Sequence, residues 1–158
     1  YLAFGDTASS NSGYVRYYHS TDQMVLRAGG DDVVFINAGT MTVDGSFNAT
    51  TKSFDIEHPT KEGMRLHHGS LEGPEHGVYV RGRLKDNNII ELPDYWTGLV
   101  DEDSITVQLT AIGSRQDVWV EDVINNTVIV GSNDKINCFY FVQAERKDVA
   151  KFDVEYEV

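Results

Sequence analysis

Four of the chain's five histidines, His58, His67, His68 and His76, fall close together, and Glu57, Glu72 and Glu75 lie among them. A protein metal site needs three or four such ligands converging on one point. The spacing here matches neither a His-Glu-x-x-His helix nor a cysteine-paired zinc site. His67 and His68 are adjacent, and neighbouring side chains on a strand face opposite sides, so at most one of them points inward. Hydrogen-bonded or surface histidines are therefore expected within one chain. The metal arrangement left open places His67 or His68 on the axis of a trimer, where three copies converge on one ion. No other cofactor is implied.

The carboxylates are equally uninformative about catalysis. A glycosidase pair must face across a cleft, about 5–9.5 Å apart, whereas Glu72 and Glu75 share the turn Glu72-Gly73-Pro74-Glu75. With Tyr79 and Arg81 they are expected to form a polar turn packed by a buried ion pair, since arginine grips a carboxylate through two N–H groups. Asp101-Glu102-Asp103 lacks the calcium-loop pattern. No nucleophile elbow and no phosphate-binding glycine loop occurs. Cys138 is the single cysteine, which excludes an intrachain disulfide; in the run Cys138–Val142 it is expected to pack as a small hydrophobe. No catalytic residue emerges. Binding is a different matter. Trp96 and Trp119 are candidate sugar platforms, because an exposed aromatic face accepts the C–H face of a pyranose. Trp119 alternates with Val118 and Val120, which turns it away from a core formed by those valines. The polar stretches Gly113–Asp117 and Asn125–Asp134 supply the companion ligand-binding candidates Arg115, Asn125, Asn126 and Asn133.

The elements that must position these residues are strands. Ile105, Val107 and Leu109 alternate with Thr106, Gln108 and Thr110; Val78, Val80 and Leu84 alternate with Tyr79, Arg81 and Arg83. Such period-two runs predict half-buried strands with one wet face. Further strands are expected near 53–57, 89–92, 118–123, 128–130, 137–144 and 152–156, divided by turns such as Asp86-Asn87-Asn88 and Asn125-Asn126. Pro93–Leu99 is expected to hold one helical turn. Many short strands at this spacing predict an antiparallel sandwich or barrel over residues 51–158. Residues 1–50 differ: short apolar runs at 14–18, 24–28, 33–38 and 41–43 alternate with tight turns. So small a set of strands is marginal alone. A stalk segment of β-prism or β-helix type, stabilised by other chains, is the expectation.

The formal charge is −12, with five acids against two bases in residues 1–50 and twenty against eleven in residues 51–158. A surface so acidic argues against nucleic acid and against anionic lipid as partners. No apolar run approaches the ~18 residues of a membrane helix, so membrane insertion is not expected. No signal-peptide pattern opens the sequence, and the lack of an initiator Met suggests a fragment or a processed product.

Three stretches, KSFDIEHPTKEGMRLHHGSLEGPEHGVYVRGRL, IIELPDYWTGLVDEDSITVQLTAIG and NCFYFVQAERKDV, follow one another between residues 52 and 149 and carry a resemblance that covers roughly residues 52–157. This region resembles the C-terminal β module of long tail fibres of marine and T4-like phages. The stretch from Tyr14 to Gly39 is similar to the strand repeats that precede that module. The resemblance implies an extracellular, virion-borne homotrimer with upstream fibre segments and a host-surface glycan or protein as partners. In relatives a self-cleaving chaperone domain often follows. It implies no catalytic residues. The alternatives are a monomeric carbohydrate-binding β-sandwich of a bacterial surface or secreted protein, and a polysaccharide depolymerase, which would need separated carboxylates in a groove.

Overall fold

The computed structural model describes residues 2–5, 7 and 12–157. It is all-β and antiparallel, and divides into two compact units, residues 1–50 and 51–158.

Unit 1 is one five-stranded meander of β1 (Leu2–Phe4), β2 (Gly13–Tyr18), β3 (Gln23–Ala28), β4 (Asp31–Asn37) and β5 (Thr40–Val43), in that spatial order. The β3–β4 hairpin closes on Gly29-Gly30, both at positive φ, the two-residue turn whose twist suits paired strands. Pairing places Leu2, Val15, Leu26, Val34 and Val43 in one row across all five strands. Tyr17, Met24, Ile36 and Met41 form a second row on the same face, and Phe4 joins them beside Gly13. All the side chains so placed are hydrophobic, and the Tyr17 hydroxyl donates to Asp22 Oδ1 at 2.9 Å. The opposite face carries Tyr14, Arg27 and Asp32 beside Arg16, Val25 and Phe35. There the Tyr14 hydroxyl donates to Asp32 Oδ1 at 2.7 Å and Arg27 Nε donates to the same oxygen at 2.7 Å. The Arg27 guanidinium lies over the Tyr14 ring and that of Arg16 over Tyr18. These donors hold the Asp32 carboxyl below the usual carboxylate range, the Tyr14 bond foremost. The polar face thus covers itself with its own long side chains and buries Val25 to 1% exposure.

Unit 2 begins with a hairpin of β6 (Ser53–Glu57) and β7 (Arg65–Gly69). β8 (Gly77–Lys85) follows, then β9 (Ile89–Glu91), one helical turn α1 (Trp96–Leu99), β10 (Thr106–Ala111), β11 (Val118–Ile124), β12 (Thr127–Ser132) and β13 (Asn137–Glu145). Two three-stranded sheets result, β10-β13-β8 and β11-β12-β9. Their inner faces enclose one core: Val78, Leu84, Cys138, Val142 and Ala144 from the first sheet, Ile90, Val128 and Val130 from the second, with Trp96, Leu99 and Val100 at one end. The sequence period explains the first sheet directly, since the apolar half of each alternating strand is the half that is buried. In β11 a bulge between Val120 and Asp122 sets Val120 opposite Val130 and Val123 opposite Val128, although both β11 valines remain exposed.

No separate strand forms at 152–156, where the expectation placed one; Val149 to Glu157 carries no regular element. Its apolar residues Phe152, Val154 and Tyr156 remain exposed, and Phe152 lies against His76 at 4.0 Å between ring centroids.

Candidate functional site

Trp119 lies on β11 with its ring flat against Gly131 of β12, the residue directly opposite. A Cβ on Gly131 would stand 2.2 Å from the indole, so only glycine allows this seat. The indole is 48% exposed and forms a rigid apolar platform on the outer face.

Trp96 is no platform. It opens α1, is fully buried (0%) and packs into the core, which corrects its placement among the ligand-contact candidates. Pro93 and Asp94 carbonyls accept from Trp96 and Thr97 N–H and bend the chain inward at that point.

The polar candidates do not converge. Residues 125–134, named as a ligand-binding stretch, are a turn, the strand expected near 128–130, which forms as the central strand β12, and a second loop; Val128, Val130 and Gly131 are buried within them. Asn125 and Asn126 make the β11–β12 turn, both at positive φ. Asn126 Nδ2 donates to the carbonyls of Leu92 and Pro93 at 3.0 and 3.1 Å, so it anchors the turn and does not face a ligand. Arg115 and Asn133 lie at the other end of the same hairpin, about 20 Å away at ~3.4 Å per strand residue. There Asn133 Nδ2 donates to Asp117 Oδ2 at 2.9 Å, and Gln116 bridges to Lys135 and Asn137. Arg115 itself is exposed.

The buried ion pair expected at Glu72, Glu75, Tyr79 and Arg81 is absent among the described residues. Glu72 pairs with Lys52, and Glu75 Oε1 accepts from Gln143 Nε2 at 2.9 Å. Tyr79 stacks on Phe141 with ring centroids 5.1 Å apart. Arg81 is exposed on the outer face of β8. The buried arginine of this unit is Arg146, which donates to both carboxylate oxygens of Asp148 at 2.9 and 2.7 Å and covers the Phe54 ring.

His67 and His68 point to opposite faces of β7: His67 is exposed, and His68 packs between the rings of Phe54 and Tyr95. Burial, helped by the charge of Arg146, holds the His68 imidazole below its ordinary value. Among the described residues no three His, Cys, Asp or Glu side chains gather closely enough to hold an ion. Burial pushes the Cys138 thiol up, away from the thiolate.

One site was missed by sequence reasoning. On the outer face of β10-β13-β8, Gln108, Phe141 and Arg81 form one cross-strand row, and Thr110, Phe139 and Arg83 the next. They line a groove of about 530 Å³. Comparison with protein-family models, with curated proteins and with solved structures finds no match to this chain.

Proposed function

We propose that this chain is a structural and adhesive element of a homotrimeric viral tail fibre, in which residues 1–50 form part of the stalk and residues 51–158 a β-sandwich that displays host-recognition surfaces. The observation that carries the reading is the apolar face of unit 1. Among the described residues ten hydrophobic side chains, from Leu2 to Val43, occupy it, the Tyr17 hydroxyl being turned to Asp22 Oδ1, and Leu2, Phe4, Val15, Tyr17, Met24 and Met41 are exposed. It spans five strands, about 20 Å at ~4.8 Å per strand. A contiguous apolar surface of that kind marks an interface. Further copies of the same sheet supply the missing layer, and the resemblance of residues 52–157 to tail fibres supports three as the number of chains.

Host adhesion then follows from multiplicity: three copies of each outer surface combine weak single contacts. Light scattering tests the assembly. The reading expects a species of three times the 17.7 kDa chain mass. A stable monomer would replace it with the monomeric carbohydrate-binding sandwich, a reading favoured by the half-exposed Trp119 platform alone.

A further inference from the structure

We infer that the groove on β10-β13-β8 binds an acidic sugar, a pyranose that carries a carboxylate. The inference deepens the host-recognition half of the proposed function and rests on it, but it does not depend on the number of chains.

Charge points to the ligand first. The outer face of β8 presents Tyr79, Arg81, Arg83 and Lys85 in succession, and the partners across β13 are Gln143, Phe141, Phe139 and Asn137. β10 adds Thr106, Gln108 and Thr110. No acid stands among these residues, in a chain whose formal charge is −12. Arg81 has no carboxylate partner among the described residues. Arg83 donates through Nε and Nη2 to Asn137 Oδ1, at 3.1 and 2.8 Å. That acceptor is neutral, so it fixes the guanidinium without cancelling its charge. Two arginines two residues apart on one strand face lie about 7 Å from each other. Such forks match a carboxylate in shape and charge.

The rest of the groove is what a sugar ring needs. Phe141 is stacked on Tyr79, and Phe139 is 54% exposed beside it, so two flat apolar surfaces flank the cations. Gln108 and Thr110 are exposed on the opposite wall and offer neutral donors and acceptors to hydroxyls. Beneath the floor the Tyr140 ring presses on Gly82, where a Cβ would come within 2.4 Å of the hydroxyl. The floor is therefore rigid. A bare phosphate would use the arginines and leave the aromatic walls idle. A neutral sugar would leave the charge of both arginines without an anionic partner.

The test is a titration of the full chain, by NMR or calorimetry, with sialyllactose and tri-galacturonate, against lactose and inorganic phosphate. An acidic sugar is expected to bind at least tenfold more tightly than lactose or phosphate, more weakly as salt rises. Arg81→Gln is expected to weaken that binding about tenfold. Gln108→Glu, an exposed change that places a carboxylate beside the arginines, is expected to abolish it while the thermal transition stays in place. Absence of binding by either acidic probe at millimolar concentration overturns the inference, as does equal binding of lactose or full binding by Gln108→Glu. Light scattering on the same samples separates the two readings. If Gln108→Glu changes the molar mass, the groove is a contact between copies and the sugar site is wrong. If wild-type chain is monomeric yet binds the acidic sugar through Arg81, the trimer fails and the site stands.

Discussion

The two units solve the same problem in different ways. Unit 2 folds two small sheets onto one core, and its buried set of Trp96, Leu99, Val128, Val130, Cys138 and Val142 comes from its own strands. Unit 1 has a single layer, and among its described residues only Tyr14 and Val25 are buried hydrophobics. Its polar face closes over itself through Arg27, Asp32 and Tyr14, while its apolar face has nothing within the unit to rest on. A sheet must bury one face against something. Unit 2 therefore buries its own core, whereas the apolar face of unit 1 stays uncovered within the unit, which is what the proposed assembly with other copies uses.

The sharpest break between them is separation. Residues 51–158 alone are expected to unfold cooperatively with native-like signals, whereas residues 1–50 alone are expected to lack a cooperative transition at micromolar concentration, as circular dichroism would read. Next in size are core deletions. Trp96→Ala removes a fully buried indole and is expected to cost unit 2 about 3–5 kcal/mol in denaturant melts. Ile36→Lys, on the apolar face of unit 1, is expected to leave that melt unchanged and to weaken self-association about 100-fold or more, because an unpaired charge buried at an interface costs roughly 3–5 kcal/mol. Smaller is the seat of Trp119. Gly131→Ala is expected to destabilise by about 1–3 kcal/mol and to shift the tryptophan emission, because the indole must leave the strand.

The smallest effect is the dependence of stability on pH. The folded chain holds His68 below its ordinary value through burial, so the unfolded chain takes up that proton first as pH falls. Stability of unit 2 is fully present above about pH 6.5, the unfolded value, and declines until the folded imidazole also protonates. His68→Gln is expected to flatten that slope. Asp148 and Asp32 have depressed values, set chiefly by hydrogen bonds from Arg146 and from Tyr14 respectively, so their contributions are lost only at lower pH, in the carboxylate range. Melting curves at pH 7.5, 5.5 and 3 distinguish the two windows.

Much of the architecture was legible in period-two runs. The alternation in β8 and β10 states which side chains face the core, and the asparagine pair at 125–126 marks a hairpin turn through its tolerance of positive φ. The same alternation already put Arg81 beside Tyr79 and Arg83 on the wet face, so the expected buried ion pair conflicted with the strand's own period. Trp96 was opaque for another reason. It follows a proline-aspartate bend whose direction depends on packing against strands distant in sequence. The groove required three such distant strands in known register: residues 81–83, 108–110 and 139–141 share a face only after pairing. The polarity of 125–134 misled only as a sign of ligand binding: the strand expected near 128–130 forms within it, and Asn126 is used up in anchoring the turn.

Amide hydrogen exchange followed across a dilution series addresses the central claim, that the apolar face of unit 1 is covered by other copies. Completion by copies predicts that protection of residues 23–28 and 31–37 falls with dilution while protection in β8, β12 and β13 stays constant. Equal protection of β3 and β4 at every concentration, in a chain that scatters as a monomer, would contradict it.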